Sequence, residues 1–315
     1  MGTLKAIERI LLIIVFMTVF TGCDKEPEIP DSMLDGKFIY DPSIDNPQDY
    51  LLSYSNPTPT PEEASRPVFI AVHGYSASTF EWEEFRTWSA GSPDYAISLV
   101  LMGGHGSTYE DFKNATWKDW QKSIVDEYNR LVAAGYTNLN FLASSTSCTL
   151  IIDLLNASYF SDKVVPRHIL FIDPIIIPSS KILSLVPVIG PILGYIEGGN
   201  TTEEDQYWYH YRPQETLNQL NKLLTTARKQ LEDGIKLPPN CKLKVYKSIN
   251  DPTADPVTAV LIFKGLKTNT NGPIEIEMVN SDLHVFTRLS LRPNLKAKDY
   301  ENQENSFNDF LSRVL

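Results

Sequence analysis

The run Leu139-Asn140-Phe141-Leu142-Ala143 breaks into Ser144-Ser145-Thr146-Ser147-Cys148 and resumes as Leu150, Ile151, Leu154 and Leu155, the spacing of a helix laid on a sheet. A strand, a tight corner and a helix expose the hydroxyl at the apex, where it can act as a nucleophile. Such a corner needs small residues two positions before and two after its apex. Ser145 has Ala143 and Ser147 there. Ser144 would have Leu142 and Thr146, and Ser147 would have Ser145 and the β-branched Thr149. Ser145 is therefore the candidate nucleophile, against the plainer reading of a serine-rich loop that caps the next helix.

A serine hydroxyl attacks only when a base takes its proton, and the base needs a carboxylate to hold its tautomer. Of the five histidines, His168, His210 and His284 follow the corner. His168 opens a strand, and His210 lies in the aromatic cluster Tyr207-Trp208-Tyr209-His210-Tyr211. His284 follows the last expected strand and is the candidate base. For the acid, Val245-Tyr246-Lys247-Ser248-Ile249 runs into Asn250-Asp251-Pro252-Thr253-Ala254-Asp255-Pro256. Asp251 comes straight off the strand end, whereas Asp255 before Pro256 fits a helix N-cap. The oxyanion that forms during acyl transfer needs two backbone N–H donors, for which Thr146 and Tyr75 are the candidates. His73, just before the Tyr75 loop, is read as a structural hydrogen-bonder.

The elements that must position these residues alternate. Pro67–Val72 and Tyr95–Met102 are continuous apolar runs, as in strands buried on both faces. A helix is expected over 117–134, the corner strand and helix follow, and Arg167–Ile172 is the next strand, stopped by Asp173-Pro174. Residues 174–211 leave the alternation, with prolines that exclude a long helix and an apolar content that excludes a solvated loop. They read as a cap, in which Leu183, Leu185, Val186, Val188, Ile189, Ile192 and Leu193 could line an acyl pocket. Then come a helix over 213–234, a strand over 243–249, a helix over 256–266, a strand over 274–279 and a closing helix over 301–315. Short strands over 37–40 and 50–54 and a proline-rich connector over 56–61 lead in. The fold class is α/β, a mostly parallel sheet with helices on both faces.

The chain has 315 residues, 42% of them hydrophobic, and a net charge of −11, which argues against nucleic acid as a partner. Of the three cysteines, Cys148 sits at the start of a buried helix, so no disulfide framework is indicated. No HExxH or other close-spaced ligand set points to a metal or cofactor. Residues 1–22 combine Lys5 and Arg9 with the apolar run Ile10–Met17 and the ending Phe20-Thr21-Gly22-Cys23, a secretory signal too short to span a membrane. This ending resembles the lipobox of bacterial lipoproteins. The resemblance implies acylation of Cys23, a solvated tether over 23–36, and a lipid-anchored protein of the cell envelope. The outer membrane is the expected membrane, with the protein periplasmic or surface-exposed.

Val72-His73-Gly74-Tyr75-Ser76 resembles the LHGFTG of bacterial serine carboxylesterases in the monoacylglycerol-lipase-like branch of the α/β-hydrolases. Met102–Phe112, followed by Thr116-Trp117-Lys118-Asp119-Trp120, is similar to their LKGHGTxxEDM and TTWxDW signatures, and Ser281-Asp282-Leu283-His284-Val285 stands where they have SGHV. The likeness runs over nearly all of 65–315. It implies an α/β-hydrolase domain over 37–315 with Ser145 as nucleophile, Asp251 as acid, His284 as base, and the amides of Tyr75 and Thr146 as oxyanion donors. The departure is at the corner, where GLSMGG becomes Ala143-Ser144-Ser145-Thr146-Ser147-Cys148 and every glycine is lost. Two functions are consistent with this sequence. One is an exported serine hydrolase that cleaves small carboxylic esters with an apolar acyl group through an acyl-enzyme. The other is a weak or inactive hydrolase-like module that binds a lipid or glycan in the same crevice.

Overall fold

The computed structural model describes residues 58–89, 94–181, 190 and 193–315. The signal and tether, Cys23, the two short leading strands and the cap residues Leu183 to Ile189 and Ile192 lie outside them. The described chain runs through α1 (Pro61–Ser65), β1 (Val68–Val72), a 3-10 turn and α2 (Glu83–Trp88), β2 (Ala96–Val100), α3 (Tyr109–Asn114) and α4 (Trp117–Ala133). It continues through β3 (Leu139–Ser144), α5 (Thr146–Asn156), β4 (His168–Ile172), β5 (Tyr195–Glu197), β6 (Tyr211–Pro213) and α6 (Gln214–Asp233). Last come β7 (Ile235–Lys236), β8 (Lys242–Ser248), α7 (Val257–Gly265), β9 (Leu266–Lys267), β10 (Glu275–Val279) and α8 (Ala297–Val314).

Six strands form one parallel sheet in the order β10-β8-β4-β3-β1-β2. Strand residues alternate between its faces, and the core divides accordingly. Val68, Ile70 and Val72 of β1, with Phe141, Phe171 and Val245, meet Trp120, Ile124 and Tyr128 of α4, the apolar side of α5, and Leu220 and Leu223 of α6. Phe69 and Ala71, with Leu142, Leu170 and Tyr246, meet Phe85 of α2 and Phe307 and Phe310 of α8. Leu217, Leu220, Leu223, Leu224 and Leu231 of α6 are all buried, as their spacing requires.

Local chemistry sets several ends that the sequence pattern misplaces. The proline run stops at Thr60, whose side chain accepts from the Glu63 N–H while Glu63 reaches back to the Thr60 N–H, so Pro61 opens a helix. The closing helix begins at Ala297 because Asp299 accepts the Lys296 N–H at 2.7 Å. Where the cap was expected, the described residues hold the antiparallel pair β5–β6 and a bridge from Pro178 to Ala254. Leu193 is half exposed there and is not among the residues that line the cavity over Ser145.

The α7–α6 crossing depends on the absence of a side chain. A Cβ on Gly265 would lie 2.3 Å from the Leu231 carbonyl oxygen. Gly265→Ala must therefore push the two helices apart, and we expect a loss of about 1–3 kcal/mol by urea unfolding. An unchanged midpoint would show that α7 is free to shift.

Candidate active site

Because all strands of the large sheet run one way, their carboxyl ends share an edge, and the chemistry collects there. Ser145 occupies the corner between β3 and α5 with φ 50° and ψ −113°, a conformation that costs roughly 1–3 kcal/mol and holds only when neighbours enforce it. They do so through the small residues of the corner itself. The Ser147 hydroxyl accepts from the Ser144 N–H at 3.0 Å and lies 2.9 Å from the Val72 carbonyl. The Ser144 hydroxyl bonds the Glu81 carboxylate, and Ala143 is fully buried in register with Val72 and Phe171. The loop opposite approaches closely enough that a Cβ on Gly74 would sit 3.0 Å from that of Ser145.

His284 follows β10 and brings Nε2 to 2.8 Å from Ser145 Oγ, while Nδ1 lies 2.9 Å from Asp251 Oδ2. Asp251 follows β8 and accepts at Oδ1 from the amides of Thr253 and Ala254, at 2.8 and 3.0 Å. Burial works to raise its pKa, but His284 and Lys247 outweigh burial and hold it at about 2. The structure thus brings Ser145, His284 and Asp251 together. It leaves out His168, at the start of β4, and His210, which pairs with Asp205 at 3.0 Å. Asp255 turns its carboxylate to the Val257 N–H at 2.8 Å, as a helix cap.

Beneath this set lies a buried ionic group that the sequence does not announce. Lys247, fully buried, bonds Asp251 and lies 3.3 Å from Asp173 Oδ1. Asp173, with φ 44°, also accepts from the Ser248 N–H and hydroxyl and the Phe286 N–H. Burial raises the pKa of Asp173. Asp173, Asp251 and His284 place ligand atoms within 4.8 Å of one another. The Lys247 ammonium already stands between the two carboxylates, so a metal there would have to displace it.

Tyr75 and Thr146 both line the cavity over Ser145, and neither backbone N–H finds an acceptor among the described residues. The Tyr75 loop is fastened on both sides. The Gly74 N–H donates to Glu81 Oε1 at 2.8 Å, and the Ser76 N–H donates to His105 Nε2 at 3.2 Å. His73 accepts the Met102 N–H on Nε2 and donates from Nδ1 to the Gly74 carbonyl. Burial holds the pKa of His73 at about 4 and that of His105 well below the usual value, so both rings are neutral. The cavity encloses about 470 Å³, and its apolar wall includes Ile175, Ile196, Trp208, Leu217 and Leu220. Sequence reasoning missed Asp173, Lys247 and Glu81. The sequence signal was faint, since Lys247 is one of two lysines within the buried run Leu243–Ser248.

Six parallel strands with helices on both faces, and a serine corner at the carboxyl edge, give this chain the α/β-hydrolase fold. In sequence it is 23% identical over 224 residues to a thermostable monoacylglycerol lipase of Bacillus sp. (strain H-257), a match spanning 69% of this chain and 82% of the relative. Among solved structures, that of the metagenome-derived lipolytic enzymes LipS and LipT superposes with a TM-score of 0.64 at 18% identity, covering 79% of this chain and 94% of the other. The monoacylglycerol lipase of Paleococcus ferrophilus gives 0.58 at 14% identity, covering 79% and 96%. No protein-family profile matches the chain.

Removing the buried ammonium leaves two carboxylates without their counter-charge. Lys247→Met should cost about 3–5 kcal/mol in urea unfolding. Adding Asp173→Asn should recover part of the loss, and strict additivity of the two changes would disprove the coupling.

Proposed function

We propose that this chain is a serine hydrolase of carboxylic esters acting through an acyl-enzyme, and that monoesters of lipid type are its substrates. The observation that carries this reading is the continuous path from Ser145 Oγ through the His284 ring to Asp251, with both bonds under 3 Å. The likeness to lipases supports the same chemistry.

In this reading Ser145 Oγ attacks the ester carbonyl carbon and its proton passes to His284 Nε2. Asp251 holds the Nδ1–H and stabilises the imidazolium as it forms. The carbonyl oxygen, now negative, lies against the N–H groups of Tyr75 and Thr146, the first fixed by the bonds on either side and the second at the start of α5. The C–O bond of the tetrahedral intermediate breaks, and the alcohol leaves with the proton from His284. Water, deprotonated by the same ring, then splits the acyl group from Ser145. The corner lacks glycine, yet the hydroxyls of Ser144 and Ser147 are engaged there, which supports an active serine over a merely ligand-binding fold. Acylation of Cys23 after export would tether the enzyme to the cell envelope.

A fluorophosphonate probe should label the wild-type protein and not Ser145→Ala. On p-nitrophenyl esters of graded chain length, Ser145→Ala should lose roughly 10⁴-fold or more in kcat. Labelling that persists in Ser145→Ala, or no turnover of any ester, would overturn the proposal. Radiolabelled palmitate incorporated by cells expressing the full chain, and lost in Cys23→Ala, tests the anchor.

A further inference from the structure

The cavity over Ser145 carries more positive charge than an apolar acyl pocket needs. Arg212 of β6, and Arg288 and Arg292 from the segment after His284, all line it. Arg288 is buried, lies over the Trp208 ring at 4.4 Å, and pairs with Glu204 at 2.7 Å. Arg292 donates to the His284 carbonyl, and Arg212 donates to the Asn200 side-chain oxygen at 3.4 Å. Among the described residues neither Arg212 nor Arg292 forms an ion pair. Among the described residues Nε of Arg212, Nε of Arg288 and Nη1 of Arg292 have no acceptor. The other carboxylate on the cavity wall, Glu81, is taken by the Gly74 N–H and the Ser144 hydroxyl.

Guanidinium groups withdrawn from water without a counter-ion destabilise a fold. Here they converge from two separate segments, and the pKa of Arg292 falls to about 10 through burial and then through the charge of Arg288. Such crowding of like charge is relieved by an anion, and the planar fork of arginine suits the paired oxygens of a carboxylate or phosphate. A cavity of about 470 Å³ is at the smaller end for ligand sites. It suits a compact ester more than a long neutral chain.

We propose that the substrate is an ester bearing an anionic group, carboxylate or phosphate, and that Arg212, Arg288 and Arg292 determine this specificity. The inference rests on the ester-hydrolase reading and narrows its substrate class. The anion binds beside the scissile ester, its charge balanced by the two guanidiniums that lack a carboxylate partner, while Ser145 and His284 do the chemistry.

The test compares esters with one acyl group, namely 1-butanoylglycerol, its 3-phosphate, and the butanoyl ester of glycerate, with p-nitrophenyl hemisuccinate against p-nitrophenyl butyrate for an anion on the acyl side. At least one anionic ester should exceed its neutral counterpart by about tenfold or more in kcat/KM, mostly through KM, and the arm that does so names the group. The advantage should shrink with added salt. In Arg212→Gln and in Arg292→Gln the anionic-to-neutral ratio should fall toward one, and Arg292→Lys should retain part of it. Neutral esters preferred throughout, or a ratio unmoved in both glutamine variants, would overturn the proposal. Calorimetric titration of Ser145→Ala with succinate and with glycerol 3-phosphate reads the anion site without turnover. Binding there with no hydrolysis of any ester would sink the esterase reading while sparing the anion site, and hydrolysis without anion binding or preference would do the reverse.

Discussion

A serine held at φ 50° is the constraint around which the carboxyl edge is built. The residue favours other conformations, so its surroundings must over-determine this one. The sheet does part of this, because β3 lies between β1 and β4 and cannot shift register without turning its apolar residues to the wrong face. The rest comes from hydroxyls. A glycine corner relies on the absence of side chains, whereas this one uses Ser144 and Ser147 to tie the turn to Val72 and Glu81. Glu81 also holds the Gly74 amide, so one carboxylate fixes both walls of the crevice.

Charge is arranged with similar economy beneath the corner. Asp251 must stay ionised while desolvated, and Lys247 and His284 outweigh the effect of burial. Asp173 shares the lysine and feels burial more strongly, which raises its pKa where that of Asp251 falls. The two carboxylates thus differ because Asp251 is in direct contact with both the imidazole and the ammonium, whereas for Asp173 burial outweighs the charge of Lys247 and the Asp251 charge opposes its ionisation.

Much of this was legible in the residues. Apolar runs ending in small or acidic residues mark the buried parallel strands, and small neighbours on either side of Ser145 mark the corner. Where the sequence misled, a local bond decided. Pro61 reads as part of a connector until Thr60 and Glu63 close a capping box, and the charged start of α8 reads as loop until Asp299 caps it. Other features are invisible in one dimension because they come from tertiary contact. Lys247 is one of three lysines in β8, and Asp173 before Pro174 reads as a strand stop. Only the folded sheet shows that each exists for the other. The arginines at the cavity likewise come from segments about eighty residues apart in the chain.

The neutral rings of His73 and His105 fasten the loop that carries Tyr75, and they do so only while unprotonated, since each accepts an amide hydrogen on Nε2. In the unfolded chain these rings would take up protons below about pH 6.5, whereas in the fold His73 resists until about 4. Across that interval the unfolded state binds more protons, so stability drains away as acidity rises. The same imidazoles that keep the crevice rigid near neutrality therefore set an acid limit on the fold that is independent of the proton relay at His284.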